Sequence, residues 1–183
     1  TSDHWLVCTI PLDGARVSDL LNDSRSAFLD IRDVKLYPNS DRGQRIASFP
    51  EALVPKERLA LVAIMNQKHE VKDLNRLQKI VDKKVTHTVV VVSSYAVQGQ
   101  LHLNTRADDR VHTLTSGLGN FFPVTQASVI RTTGQPLVSP VAFVNKSMVG
   151  SFYAGETAPQ LGSKSANPIR KPEAAETSLD GIL

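Results

Sequence analysis

A chain of 183 residues, 41% apolar and carrying a net charge of +3, has room for one large domain or two small ones and enough apolar side chains to fill a core. That composition excludes wholesale disorder, and no apolar run approaches the roughly 18 residues that a bilayer-spanning helix needs. The single cysteine, Cys8, excludes an internal disulfide and a cysteine-rich zinc site, and suits a reducing, cytoplasmic setting.

Thr1 in first place fits either a trimmed initiator Met or a removed leader. Trp5 to Leu12 is short, apolar and partly alternating, and reads as a strand ending at the Asp13-Gly14 turn signal. Arg16 to Asn22 places Val17, Leu20 and Leu21 at helical spacing, enough for one short helical turn. Phe28 to Tyr37 alternates at Ile31, Val34 and Leu36 and predicts a strand. Pro38 to Gly43 turns the chain, Gln44 to Val54 supplies a second, broken strand, and Leu59 to Met65 closes a first β unit over residues 1–65.

Gln67 to Lys84 predicts a long linking helix. At 100° per residue Val71, Leu74, Leu77, Val81 and Val85 share one side. Lys68, Lys72, Arg76, Lys79 and Lys83 fall within roughly 80° on the opposite side. Residues 66–85 hold six basic and three acidic side chains, an excess equal to the net charge of the whole protein. A face of that kind suits phosphates, anionic headgroups or an acidic protein surface, and equally a solvated linker.

A second β unit over residues 86–153 opens with the β-branched run Thr86 to Val97, punctuated by Gly99 and continued from Gln100 to Asn104. Phe121 to Ile130 then aligns without a gap on Phe28 to Tyr37: Phe28 on Phe121, Leu29 on Phe122, Ile31 on Val124, Val34 on Ala127, Leu36 on Val129, Tyr37 on Ile130. Upstream, Arg16-Val17 matches Arg110-Val111 and Leu20 matches Leu114. Downstream, Ala52 to Lys56 matches Ala142 to Lys146, and Leu59 matches Val149. Self-similarity of this kind predicts two related β-rich units. The first has no counterpart of Thr86 to Val97, so either a preceding segment is missing or the two copies share a strand.

Residues 154–183 are rich in Ala, Ser, Pro, Gly and Lys and cannot build a core. Leu161, Ile169, Leu179 and Ile182 are spaced as anchors on an extended strap that seats each in a shallow pocket of a partner.

No constellation of chemistry-bearing residues emerges. Thr1 as an N-terminal nucleophile, with Lys35 and Asp19 as helpers, competes with simple Met trimming. His4, His69, His87, His102 and His112 never fall at HxH or HxxxH spacing, although neighbouring strands would bring His87 near His102. Asp19, Asp23, Asp30 and Asp33 face Thr113, Gly117, Pro123 and Gln126 in the second copy and read as a hydrated surface. Ser116 to Asn120 is a turn without the Lys and helix of a phosphate loop, and Cys8 on a strand reads as a small buried apolar residue. No metal or cofactor is implied, and the chain is not expected to be an enzyme.

A helix followed by about five short, bent strands, twice over, resembles the Sm-like small β-barrel, and implies two tandem Sm-like or SH3-like barrels plus the linking helix and an extended C-terminal tail. The family's RNA-contacting Asp/Asn loop and Arg-Gly pair are not matched in both copies: Arg42-Gly43 follows a strand in the first, whereas the second has Thr132-Thr133-Gly134. The segments Arg16 to Asn22 and Arg110 to Ser116 are additions, so no site residue and no RNA binding is carried over. The expected function is a non-enzymatic assembly subunit bound to other protein subunits, for example an extrinsic part of a membrane-bound energy-transducing complex reached through a partner. The alternative is a nucleic-acid-binding module using the basic helix face, disfavoured by an aromatic content of 5%.

Overall fold

The computed structural model describes residues 4–39, 43–65, 83–104, 118–131 and 136–157. The chain is mainly β. Strands β1 (His4–Thr9), β2 (Phe28–Pro38) and β3 (Ala47–Pro55) form one antiparallel sheet, with a single short helix α1 (Val17–Asn22) between β1 and β2. A 3-10 turn at Lys56–Arg58 leads to β4 (Leu61–Ile64). Then come β5 (Lys83–Val92), β6 (Tyr95–Asn104), β7 (Phe121–Arg131) and β8 (Leu137–Asn145), a second 3-10 turn at Lys146–Met148, and β9 (Val149–Gly155). These last five strands and β4 make one sheet in the order β4-β8-β7-β6-β5-β9.

Alternation in the sequence sets which face is buried. In β5, Thr86, Thr88, Val90 and Val92 are buried while Val85 and Val91 are exposed. The fully buried hydroxyl of Thr88 donates to the Tyr153 carbonyl at 2.6 Å, so its burial strands no polar group. Ile31 and Val124, expected to be equivalent, are both buried.

The two three-strand runs β1-β2-β3 and β6-β7-β8 share one register. Leu6 opposite Leu36 corresponds to Val97 opposite Val129, and Thr9 opposite Arg32 to Gln100 opposite Thr125. Phe28 opposite Pro55 corresponds to Phe121 opposite Asn145, and Leu36 opposite Ala47 to Val129 opposite Leu137. In each run the middle strand carries one extra residue against its first neighbour, beside a left-handed residue, Asp33 (φ 52°) or Gln126 (φ 50°). The amide of Lys56 donates to the Ala27 carbonyl at 2.9 Å, and that of Lys146 to the Asn120 carbonyl at 2.7 Å.

Several expectations are corrected. Closed barrels are not found among the described residues: the first three strands stay an open sheet, because β4 pairs with β8 instead of returning to them. Lys83 and Lys84, expected at the end of the linking helix, begin β5, where pairing with Asn104 and Leu103 holds them extended. The rest of that helix, residues 67–82, lies outside the described residues. The run Thr86 to Val97 is two strands, turning at Ser93 (φ 52°) and Ser94. Gly99 is not a turn but a close approach inside β6, where a Cβ would stand 2.6 Å from the Thr125 carbonyl oxygen and from Val124. Ala154 and Gly155 belong to β9, opposite Thr88 and His87, and not to the tail.

Two apolar clusters form the core, and each draws on both halves of the chain. One gathers Val90, Val97, Phe122, Val124 and Val144, with Trp5 and Leu61 against it. The other joins Leu21, Leu29, Ile31 and Val34 to Phe121, Val141 and Phe143. Asn22 fastens the two halves: its side-chain amide donates to the Phe121 carbonyl at 2.9 Å and accepts from the Phe121 amide at 2.8 Å. Burial is therefore unequal at matching positions. Phe28 is 50% exposed against 4% for Phe121, and Leu53 is 68% exposed against 3% for Phe143.

Candidate binding cleft

A cleft of about 480 Å³ runs between β1 and β4. One wall is His4 to Ile10, the other Leu59 to Met65, and Leu29, Ile31 and Val54 close its floor. Among the described strands β1 is paired with β2 and β4 with β8. Leu6, Cys8, Ile10, Val62 and Ile64 are partly buried along it, packed on the second core cluster. Trp5 stacks obliquely on Tyr95, ring centroids 6.1 Å apart, and the Tyr95 hydroxyl bonds the Asn39 side chain.

The cleft is mainly apolar, with His4, Cys8 and Thr9 on its β1 wall. Burial pushes the Cys8 thiol up from its ordinary pKa, keeping it protonated and a poor nucleophile. Such a surface offers apolar contact area and no charged anchor.

A second, wider hollow of about 980 Å³ is lined by Asn22, Asp23, Ser26, Lys56, Asn145 and Lys146, among others. Its lysines are occupied: Lys56 Nζ donates to the Asp23 carbonyl at 2.9 Å, and Lys146 Nζ to the Leu118 carbonyl at 3.0 Å. Asp23 is paired with Arg25 at 3.0 Å. The bonds from the Arg25 guanidinium and amide hold its carboxyl well below the usual range, at about 2. These groups anchor the chain and do not converge on a point where a substrate atom would sit.

The residues singled out from sequence fall as follows. The strap anchors Leu161, Ile169, Leu179 and Ile182, the basic residues Lys68, Lys72, Arg76 and Lys79, and Thr1, His69 and His112 lie outside the described residues. His87 and His102 are on adjacent strands, opposite Gln100 and Val85 respectively, and the His102 ring nitrogen sits 3.0 Å from the Thr125 hydroxyl. Among the described residues no three His, Cys, Asp or Glu side chains gather, and no helix is long and apolar enough to cross a membrane. Sequence reading passed over the cleft, since it is built from ordinary strand residues.

Compared with known protein families, curated proteins and solved structures, the chain matches none.

Proposed function

We propose that this protein is a non-enzymatic assembly subunit, built from two copies of one β unit, that binds other proteins through sheet edges and apolar faces. The observation that carries this reading is the joint between the halves. The first unit lays β4 along β8, and buries Phe121, Val141 and Phe143 of the second against its own core cluster. The matching surface on the first unit, the outer edge of β3 with the exposed Phe28 and Leu53, is uncovered among the described residues. A used joint and an unused copy of the same surface suit a protein that continues its contacts into a neighbour.

The shared register and the matched bulges support the duplication. The strand order of the second unit, with a 3-10 turn before its last strand, supports the resemblance to Sm-like and SH3-like units. The residues after Thr157 extend the contact as a strap over a partner, through Leu161, Ile169, Leu179 and Ile182.

The test is affinity purification of the tagged full chain from its native host with quantitative mass spectrometry. A protein partner at fixed stoichiometry, lost when Phe28→Ser and Leu53→Glu are combined, is the expected result. A chain recovered without stoichiometric partners, or a partner indifferent to those substitutions, overturns the reading.

A further inference from the structure

β3 corresponds to β8 by its register against the preceding strand. β9 corresponds to β4, since each follows a 3-10 turn closed by the same bond, Leu59 amide to Lys56 carbonyl and Val149 amide to Lys146 carbonyl. β4 and β8 make the joint inside the chain, with Leu61 to Ile64 antiparallel to Val144 to Val141. Their counterparts β9 and β3 each end a sheet among the described strands, and they do not pair with each other. At the same distances from the two turns, Ser151 to Ala154 stand for Leu61 to Ile64, and Val54 to Glu51 for Val144 to Val141.

We propose that a second copy of this chain continues the joint: β9 of one copy pairs along β3 of the next, as β4 pairs along β8 within the chain. The proposal rests on the reading of the chain as an assembly subunit and names one partner. Exposed side chains state the fit. Within the chain, Phe121 and Phe143 of the second unit enter the first unit's core cluster, where Phe143 lies opposite Val62. The residues in their places on the first unit are Phe28 and Leu53, which are 50% and 68% exposed. Pairing with β9 brings Leu53 opposite Phe152 of the neighbouring copy, a partly buried ring at the margin of the other cluster, edge-on to Phe122. Two large apolar side chains that the fold leaves exposed thus fall where the internal joint buries its own.

The strands that meet are different ones, so the contact is head to tail, and its repetition closes a ring or extends a filament. It is weaker than the joint within the chain. There the Asn145 amide donates to the Ala60 carbonyl at 3.0 Å and the Asn145 side chain to the Leu59 carbonyl at 2.9 Å. Pro55 in its place has no N–H to give, and Glu51 stands where the internal joint has Val141. Assembly is therefore reversible and rises with concentration.

The test uses the full chain with Cys8→Ser, so that the only thiols are introduced ones. One preparation carries Val54→Cys and the other Ser151→Cys, positions that the joint sets directly opposite, within the span of a disulfide. Oxidation of the mixture with copper phenanthroline in air is expected to link the two preparations, and light scattering to give a mass that rises with concentration. Leu53→Glu places an unpaired charge in the joint and is expected to raise the midpoint concentration of assembly at least about tenfold. Pro55→Asn restores the amide and is expected to lower it. A one-chain mass at every concentration overturns the joint between copies, and leaves the assembly reading standing if a different protein sensitive to Phe28 and Leu53 is recovered from the host. Disulfides formed only within each preparation mark a two-fold contact and overturn the head-to-tail order. A disulfide closed within single chains that carry both substitutions, or stronger assembly after deletion of residues 158–183, assigns an edge to the chain itself and overturns the proposal.

Discussion

Asn145 is a buried amide where its counterpart in the first unit is Pro55. Its Nδ2 donates to the Leu59 carbonyl at 2.9 Å, and its Oδ1 accepts from the Ser147 amide and hydroxyl at 3.1 and 2.8 Å. It ties the first 3-10 turn to the second across the joint between the halves. Asn145→Ala leaves buried groups unpaired and is expected to cost about 1–3 kcal/mol in urea denaturation; an unchanged midpoint would remove it from the joint. The Asp23 carboxylate behaves differently, because it lies at the surface and pairs with the largely exposed Arg25. Its folded pKa lies below the ordinary value, so its small favourable contribution is present at neutral pH and is lost as pH falls towards 2. An NMR titration should place its midpoint near 2, and Arg25→Ala should return it to the usual carboxylate range.

At the scale of the element, β6 shows why alternation is readable and turns are not. Val97 and Leu101 are buried as their spacing predicts, yet the glycine between them marks a tight crossing with β7 and not the end of a strand. Gly99→Ala would push a Cβ into the Thr125 carbonyl, and is expected to destabilise by about 1–3 kcal/mol. A melting temperature equal to the parent would mean that β7 yields at its bulge. The true hairpin, at Ser93-Ser94, offers none of the Gly, Asn or Asp residues that usually announce a left-handed turn. Two ten-residue strands paired along their whole length hold such a turn in place, and the local signal then vanishes.

Across the whole molecule, equivalent positions have unequal environments. Ile31 and Val124 are both interior, so truncation of either should be costly: Ile31→Ala is expected to lose about 2–5 kcal/mol. Leu53 and Phe143 occupy matching places but only Phe143 is covered, so Leu53→Ser should leave stability within about 0.5 kcal/mol of the parent while Phe143→Ser should not. Equal losses at the two positions would mean that the β3 face is buried in solution. Deleting residues 160–183 should leave the melting transition in place and weaken recovery of the partner. Unfolding of the truncated chain would assign those residues to the core.

What the sequence determined by itself was local and periodic: the alternation of β2, β5 and β7 and the single helical turn at Val17–Asn22. Those follow from side chains two or three residues apart, which a linear reading can weigh. Only the tertiary structure decided that β4 joins β8, that Phe121 and Phe143 complete the core of the other half, and that residues of β1 and β4 line one apolar cleft. The same short apolar run, Leu61 to Ile64, satisfies its backbone equally on either sheet. Its choice is set by which neighbour offers an unpaired edge and an uncovered apolar face, and that is a property of the assembled fold.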